Sequence, residues 1–123
     1  MASPKRVFVA FAIEDERQRD FLKGQTYLGN CPYEYIDLSV KEAYESDWKT
    51  KVQTRIRGSH GVIVLASKNS PASTGQKWEI DCAKAERKPI LGIQAYADDY
   101  TAVPGVTVVP WTRQAIADFI DGL

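Results

Sequence analysis

STGQKWEIDCAKAERKPILGI, residues 73–93, reads as a capped helix running into a buried strand, and that pairing sets the fold of the chain. Ser73 and Gln76 stand in the S-x-x-Q relation of a capping box, in which each side chain satisfies a free N–H of the first turn, so the helix opens near Thr74. On a wheel at ~100° per residue, Trp78, Cys82, Ala83 and Ala85 share one broad arc; Lys77, Asp81 and Lys84 lie opposite, and Ile80 falls off the arc. Glu79 lies inside it, with Cys82 and Ala83 as its i+3 and i+4 neighbours, which turns a carboxylate toward a sheet. A carboxylate desolvated there, yet near a helix N-terminus, is the kind of group whose ionisation is tuned for chemistry. A hydrated Glu favoured by the helix dipole is the plainer alternative.

Working outward, residues 89–94 (PILGIQ), 61–66 (GVIVLA) and 6–11 (RVFVAF) are apolar runs with almost no polar alternation, as strands covered on both faces require. Residues 33–38 (YEYIDL) and 106–109 are expected as further strands, the first closed by Asp37 and Ser39. Between them fall helices over 14–25, with Phe21 and Leu22 on the buried side, 48–57, with Trp48, Val52 and Ile56 at four-residue spacing, and 111–120. The acidic turn at residues 14–16 reads as a solvated helix start. Strands alternating with helices argue for a parallel sheet with right-handed crossovers: a flavodoxin-like, doubly wound, five-stranded α/β fold filling a single domain, residues 1–123.

Composition narrows the function. With 123 residues, 44% hydrophobic, the chain is one domain with a real core. Sixteen basic and sixteen acidic residues cancel, without a basic block interleaved with aromatics, which argues against a nucleic-acid partner. Cys31, Cys82 and the single His60 make no metal-ligand spacing, so no metal is expected. No apolar run is long enough to span a bilayer, and none has a signal-peptide cleavage pattern; a cytoplasmic protein with reduced thiols is the expectation.

In a doubly wound sheet, ligands sit outside the carboxyl ends of the strands, where strand order reverses. The loops expected to meet there are 12–15, opening at Ala12, then 37–40, and 67–78, which brings Glu79 to the crevice. Three common occupants fit poorly. The AIEDE loop would repel a flavin phosphate. A receiver domain would need an aspartate where Ala66-Ser67 stands, and the G-x-G-x-x-G dinucleotide fingerprint is missing.

The series VFVAF, IDLS, IRGSHGVIVLAS, KWEIDCA and KPILGI resembles the bacterial TIR-like domains of the MTH538 and Thoeris type, associated with anti-phage defence. The resemblance runs to about Ile93 and is looser beyond it. It implies an NAD⁺-cleaving enzyme, an NAD⁺ nucleosidase or ADP-ribose cyclase making a signalling nucleotide, with NAD⁺ as substrate and no cofactor. It implies Glu79 as the catalytic residue and Asp37 and Ser39 as contacts to ribose or amide groups. Phe11 and Trp78 would offer apolar surface to the rings, although aromatics at sheet edges mostly pack and a core role is the plainer reading of both. Members often carry a Ser where this chain has Ala10 and a Trp where it has Gly75.

One carboxylate suffices for such a reaction. Nicotinamide leaves as a neutral ring and needs no general acid, so what remains is to steady a cationic ribosyl transition state. Two rival readings stand beside this one. A non-catalytic TIR-like module would self-associate, and exposed tyrosines such as Tyr96 and Tyr100 would suit its interface. A nucleoside deoxyribosyltransferase-like enzyme would use its Glu to attack the sugar carbon. In the first reading self-association is also expected, with a separate effector protein reached through a diffusible product.

Overall fold

The structure is a computed structural model that describes residues 5–26, 35–37 and 48–123, with the backbone alone at 36 and 37. Five parallel strands form one sheet: β1 (Lys5–Ala10), β2 (Tyr35–Asp37), β3 (Gly61–Ala66), β4 (Ile90–Gln94) and the two-residue β5 (Val108–Val109). Their order is β2-β1-β3-β4-β5. Four helices cover it, α1 (Glu16–Gln25), α2 (Trp48–Arg57), α3 (Thr74–Ala85) and α4 (Arg113–Asp121).

Alternate residues of each central strand face opposite layers. Val7, Val9, Phe11, Ile63, Leu65 and Ile93 pack with Leu22 of α1 and Ile116 and Ile120 of α4. Phe8, Ala10, Val62, Val64 and Ala66 pack with Val52 and Ile56 of α2 and Ile80 and Ala83 of α3. The chain moves one way from β1 to β2 and the other way from β2 onward. Right-handed crossovers therefore place α1 on the face opposite α2 and α3, and strand order reverses between β1 and β3.

Residues 48–57 and 61–66 form the expected elements to the residue. The differences lie at element ends and in which side chains turn inward. The first helix begins as a 3₁₀ turn, Ile13–Asp15. Phe21, expected inside, is 60% exposed, because Arg19 takes the inward position and lays its guanidinium over the Phe11 ring, 5.5 Å from the centroid. The closing helix starts at Arg113 and not at Trp111, since the Thr112 hydroxyl accepts from the Ala115 N–H and caps it. Trp111 instead donates from its indole N–H to Gln25 and meets the exposed Phe21 edge-on.

The last strand is shorter than the expected 106–109, and Gly92 explains how the chain closes on it. A Cβ on Gly92 would come within 2.8 Å of Val106 Cγ1 and 2.9 Å of both the Thr107 carbonyl oxygen and Val108 Cγ2. Gly92 N–H also donates to that Thr107 carbonyl. Gly92→Ala is expected to destabilise the protein by about 1–3 kcal/mol by prising β5 from β4. Urea unfolding measures this, and a midpoint unchanged from wild type would contradict the close packing.

Candidate active site

Helix α3 is positioned at both ends. Ser73 Oγ accepts from the Gln76 N–H at 3.1 Å, and at the other end Arg87 takes a left-handed conformation, φ 56°, while the Lys88 N–H returns to the Ala83 carbonyl. Its buried face carries Gly75, Gln76, Glu79, Ile80 and Ala83. This corrects the expected arc in two places: Ile80 is inside and Ala85 is exposed. The spacing 76, 79/80, 83 is the ordinary inward stripe of a helix, centred on a glutamine that apolarity does not reveal.

Glu79 sits in that stripe and is 5% exposed. Burial pushes its carboxyl group up to about 8, with no compensating donor or cation among the described residues. At neutral pH it therefore holds its proton. Any cation bound beside it would favour ionisation.

Gln76, one turn earlier, ties this helix to the sheet. Its side-chain N–H groups donate to the carbonyls of Ala10 at 3.1 Å and Leu65 at 2.9 Å, at the carboxyl ends of β1 and β3. Only the backbone half of the expected capping box forms; the amide spans the reversal of strand order, and the Ser73 N–H goes to the Ser70 carbonyl. Helix α3 is thus clamped at the place where doubly wound folds bind ligands.

The acidic turn before α1 also departs from expectation. Asp15 is fully buried and accepts hydrogen bonds from the Ser67 hydroxyl, Asn69 Nδ2 at 3.0 Å and the Tyr96 hydroxyl at 2.9 Å. It joins the segments that follow β1, β3 and β4. Burial and the Asp15 contact raise the Tyr96 phenol above its ordinary value, so it remains a donor.

The other expected site residues divide. Ala10 packs on the α2/α3 layer, whereas Phe11 is built into the opposite core with Leu22 and Ile116, so it lines the α1/α4 side and not the layer that holds Ile80 and Ala83. Ala12 is buried and its carbonyl accepts from the Asp15 N–H, closing the turn. Trp78 lies half-buried at the α2/α3 seam, edge-on to Trp48 at 5.3 Å with Lys49 Nζ 5.7 Å from its ring centre. Asp37 ends β2, level with Val7 of β1. Ser39 lies outside the described residues. Gln76 and Asp15 carry roles that sequence reasoning missed; a buried polar pair after β1 and β3 leaves no periodic trace, and the nearest signal was the cluster of polar residues at 67–70.

Among the described residues, no group of three or more His, Cys, Asp or Glu could hold a metal, and no helix is long and apolar enough to cross a membrane.

The β2-β1-β3-β4-β5 parallel sheet is that of a flavodoxin-like domain, with Glu79 buried on the helix that Gln76 ties to the point where strand order reverses. The chain belongs to the family of the Thoeris protein ThsB TIR-like domain, whose family model matches residues 8–100. No curated protein matches. Among solved structures, the chain is similar to the CMP N-glycosidase BcmB of Clostridium botulinum, at 20% identity and a TM-score of 0.57, covering 97% of this chain and 100% of that one. At that identity the likeness concerns the fold.

Proposed function

We propose that the protein is an NAD⁺-cleaving N-glycosidase, an NAD⁺ nucleosidase or ADP-ribose cyclase, with Glu79 as its catalytic carboxylate. The observation that carries this reading is an acid 5% exposed on a helix clamped to the carboxyl ends of β1 and β3. Family membership and a fold shared with the CMP N-glycosidase BcmB support it.

In the reaction, the bond between the ribose C1′ and the nicotinamide nitrogen breaks with both electrons going to nitrogen. Neutral nicotinamide leaves. The Glu79 carboxylate steadies the ribosyl cation, which is then captured by water with loss of a proton, or by a nucleophile of the same molecule to give a cyclic isomer. The pyridinium of NAD⁺ supplies the cation that helps Glu79 ionise on binding. Asp37 and Ser39 are assigned to ribose or amide contacts. No cofactor or metal takes part. The product reaches a separate effector protein in the cytoplasm, and exposed side chains such as Tyr100, 81% accessible, serve self-association.

The test is chromatography of NAD⁺ incubated with the protein from pH 5 to 9, with free nicotinamide as the readout. Expected is a kcat/KM that rises with pH and half-saturates near 8, with kcat half-saturating lower because bound substrate favours the carboxylate. Absence of nicotinamide at every pH would refute the reading.

The proton that burial keeps on Glu79 also favours a second reading, cleavage of a nucleotide such as CMP. A pyrimidine leaves as an anion unless it is protonated, and a Glu that keeps its proton up to about 8 can supply that proton. Cytosine release from CMP would then fall as pH rises through 8, opposite in sign to the nicotinamide profile.

A further inference from the structure

No side chain among the described residues holds the Glu79 carboxyl group by a hydrogen bond, and its raised ionisation comes from desolvation alone. The half-buried Cys82 thiol, one turn on, is the titratable group that feels it. From α2, Val52 and Ile56 pack into this layer, and from β3, Val62 and Val64; Lys49 of α2 stands over the Trp48 and Trp78 rings at the seam and leaves no mark on Glu79. What keeps Glu79 dry is therefore the depth at which α3 sits on the sheet.

That seat is polar. Gln76 lies one turn before Glu79 on the same buried face, and its side-chain NH₂ donates to the Ala10 and Leu65 carbonyls, which can only accept. Among the described residues these two are the side-chain hydrogen bonds that join α3 to the sheet, and they fall on the neighbouring strands β1 and β3.

We propose that Gln76 is a positioning residue for Glu79: by tying α3 to β1 and β3 it holds the helix at the depth that excludes water from the carboxyl group one turn away. Its catalytic meaning rests on the N-glycosidase reading, and its effect on Glu79 rests on packing alone. A buried carbonyl that loses its donor is costly, and water is the group that can replace that donor. Removal of the amide thus draws water to the ends of β1 and β3, and Glu79 is the next polar group on that face. A hydrated carboxyl group ionises at lower pH.

Gln76→Met keeps the length, neutrality and helix propensity of the side chain and removes both donors. The Ser73 cap holds the backbone N–H of residue 76 and is left in place. Carboxyl-carbon resonances are followed against pH by NMR of the full chain made with ¹³C-labelled glutamate, the Glu79 signal being identified by its absence from Glu79→Gln. The wild-type midpoint is expected near 8, and that of Gln76→Met about one pH unit lower or more. Nicotinamide release by the variant is expected to show a plateau of kcat/KM about tenfold lower, with half-saturation moved the same way.

A residue that merely supports the fold would lower the urea midpoint and leave the Glu79 titration where it was, and that result overturns the proposal. So does a wild-type midpoint near the ordinary 4.5. If Gln76→Met does not fold, Gln76→Asn, whose amide is one methylene short of the two carbonyls, is titrated in its place, and failure of both to fold assigns Gln76 to the fold alone. A wild type that releases no nicotinamide refutes the glycosidase reading only, since the carboxyl titration needs no substrate and still decides whether Gln76 sets the burial of Glu79.

Discussion

Glu79→Gln is expected to reduce nicotinamide release about a thousandfold or more, and in the same protein to raise stability at alkaline pH. The first effect follows from losing the one charge that can steady a ribosyl cation. The second follows from the buried state of the carboxyl group, raised from its ordinary 4.5 to about 8 by desolvation. Between those two values the folded chain keeps the proton and the unfolded chain has lost it. Stability therefore falls as pH rises from about 4.5, and levels off above about 8. Integrated over that window the loss is at most ~5 kcal/mol, and glutamine, having nothing to ionise, does not incur it.

Wild type and variant should therefore unfold alike in urea near pH 5 and diverge toward pH 9, with the variant the more stable. Retained turnover would remove Glu79 from the mechanism. Parallel stability profiles would show instead that its carboxyl group is solvated. A functional acid that weakens its own fold is what a tuned catalytic group entails, whereas an acid retained for structure does the reverse.

Asp15 supplies that reverse case. Asp15→Ala is expected to cost about 3–5 kcal/mol, because it strands the Ser67 hydroxyl, the Asn69 amide and the Tyr96 hydroxyl in a fully buried place. Asp15→Asn keeps the shape, and with its oxygen at the Oδ1 position the Tyr96 hydroxyl and the Asn69 amide keep their shared acceptor, so it should lose less. The Ser67 hydroxyl then faces an NH₂ group where it had donated to Oδ2. Urea unfolding of both variants reads the order Asp15, then Asn, then Ala. A loss below about 1 kcal/mol for the alanine variant would show that solvent replaces these bonds.

The parts of the fold that were legible in the sequence are those where one physical signal dominates. GVIVLA at 61–66 could only be a strand covered on both faces, and the four-residue spacing of Trp48, Val52 and Ile56 gave α2 its bounds. The inward face of α3 was misjudged because apolarity located it, and the residue at its centre is Gln76, held inside by carbonyls 11 and 66 positions away. Arg19 displaced Phe21 from the interior because a guanidinium can lie flat on an aromatic ring while its stem packs. Asp15 was read as solvated since its partners lie 52 to 81 residues further along the chain. Periodicity registers what a segment does with its own neighbours. Pairing across the top of a sheet depends on residues that no local window contains.

The two-residue β5 has a consequence for how copies of this chain can meet. It stands at one edge of the sheet, and the residue after it, Pro110, has no N–H to offer an incoming strand. An edge so short and so terminated is a poor template for strand addition, the route by which sheets zip into fibres or continuous ribbons. Growth of a shared sheet past β5 is thereby discouraged, and any assembly on that side is left to side-chain surfaces, where a single substitution can tune or abolish it.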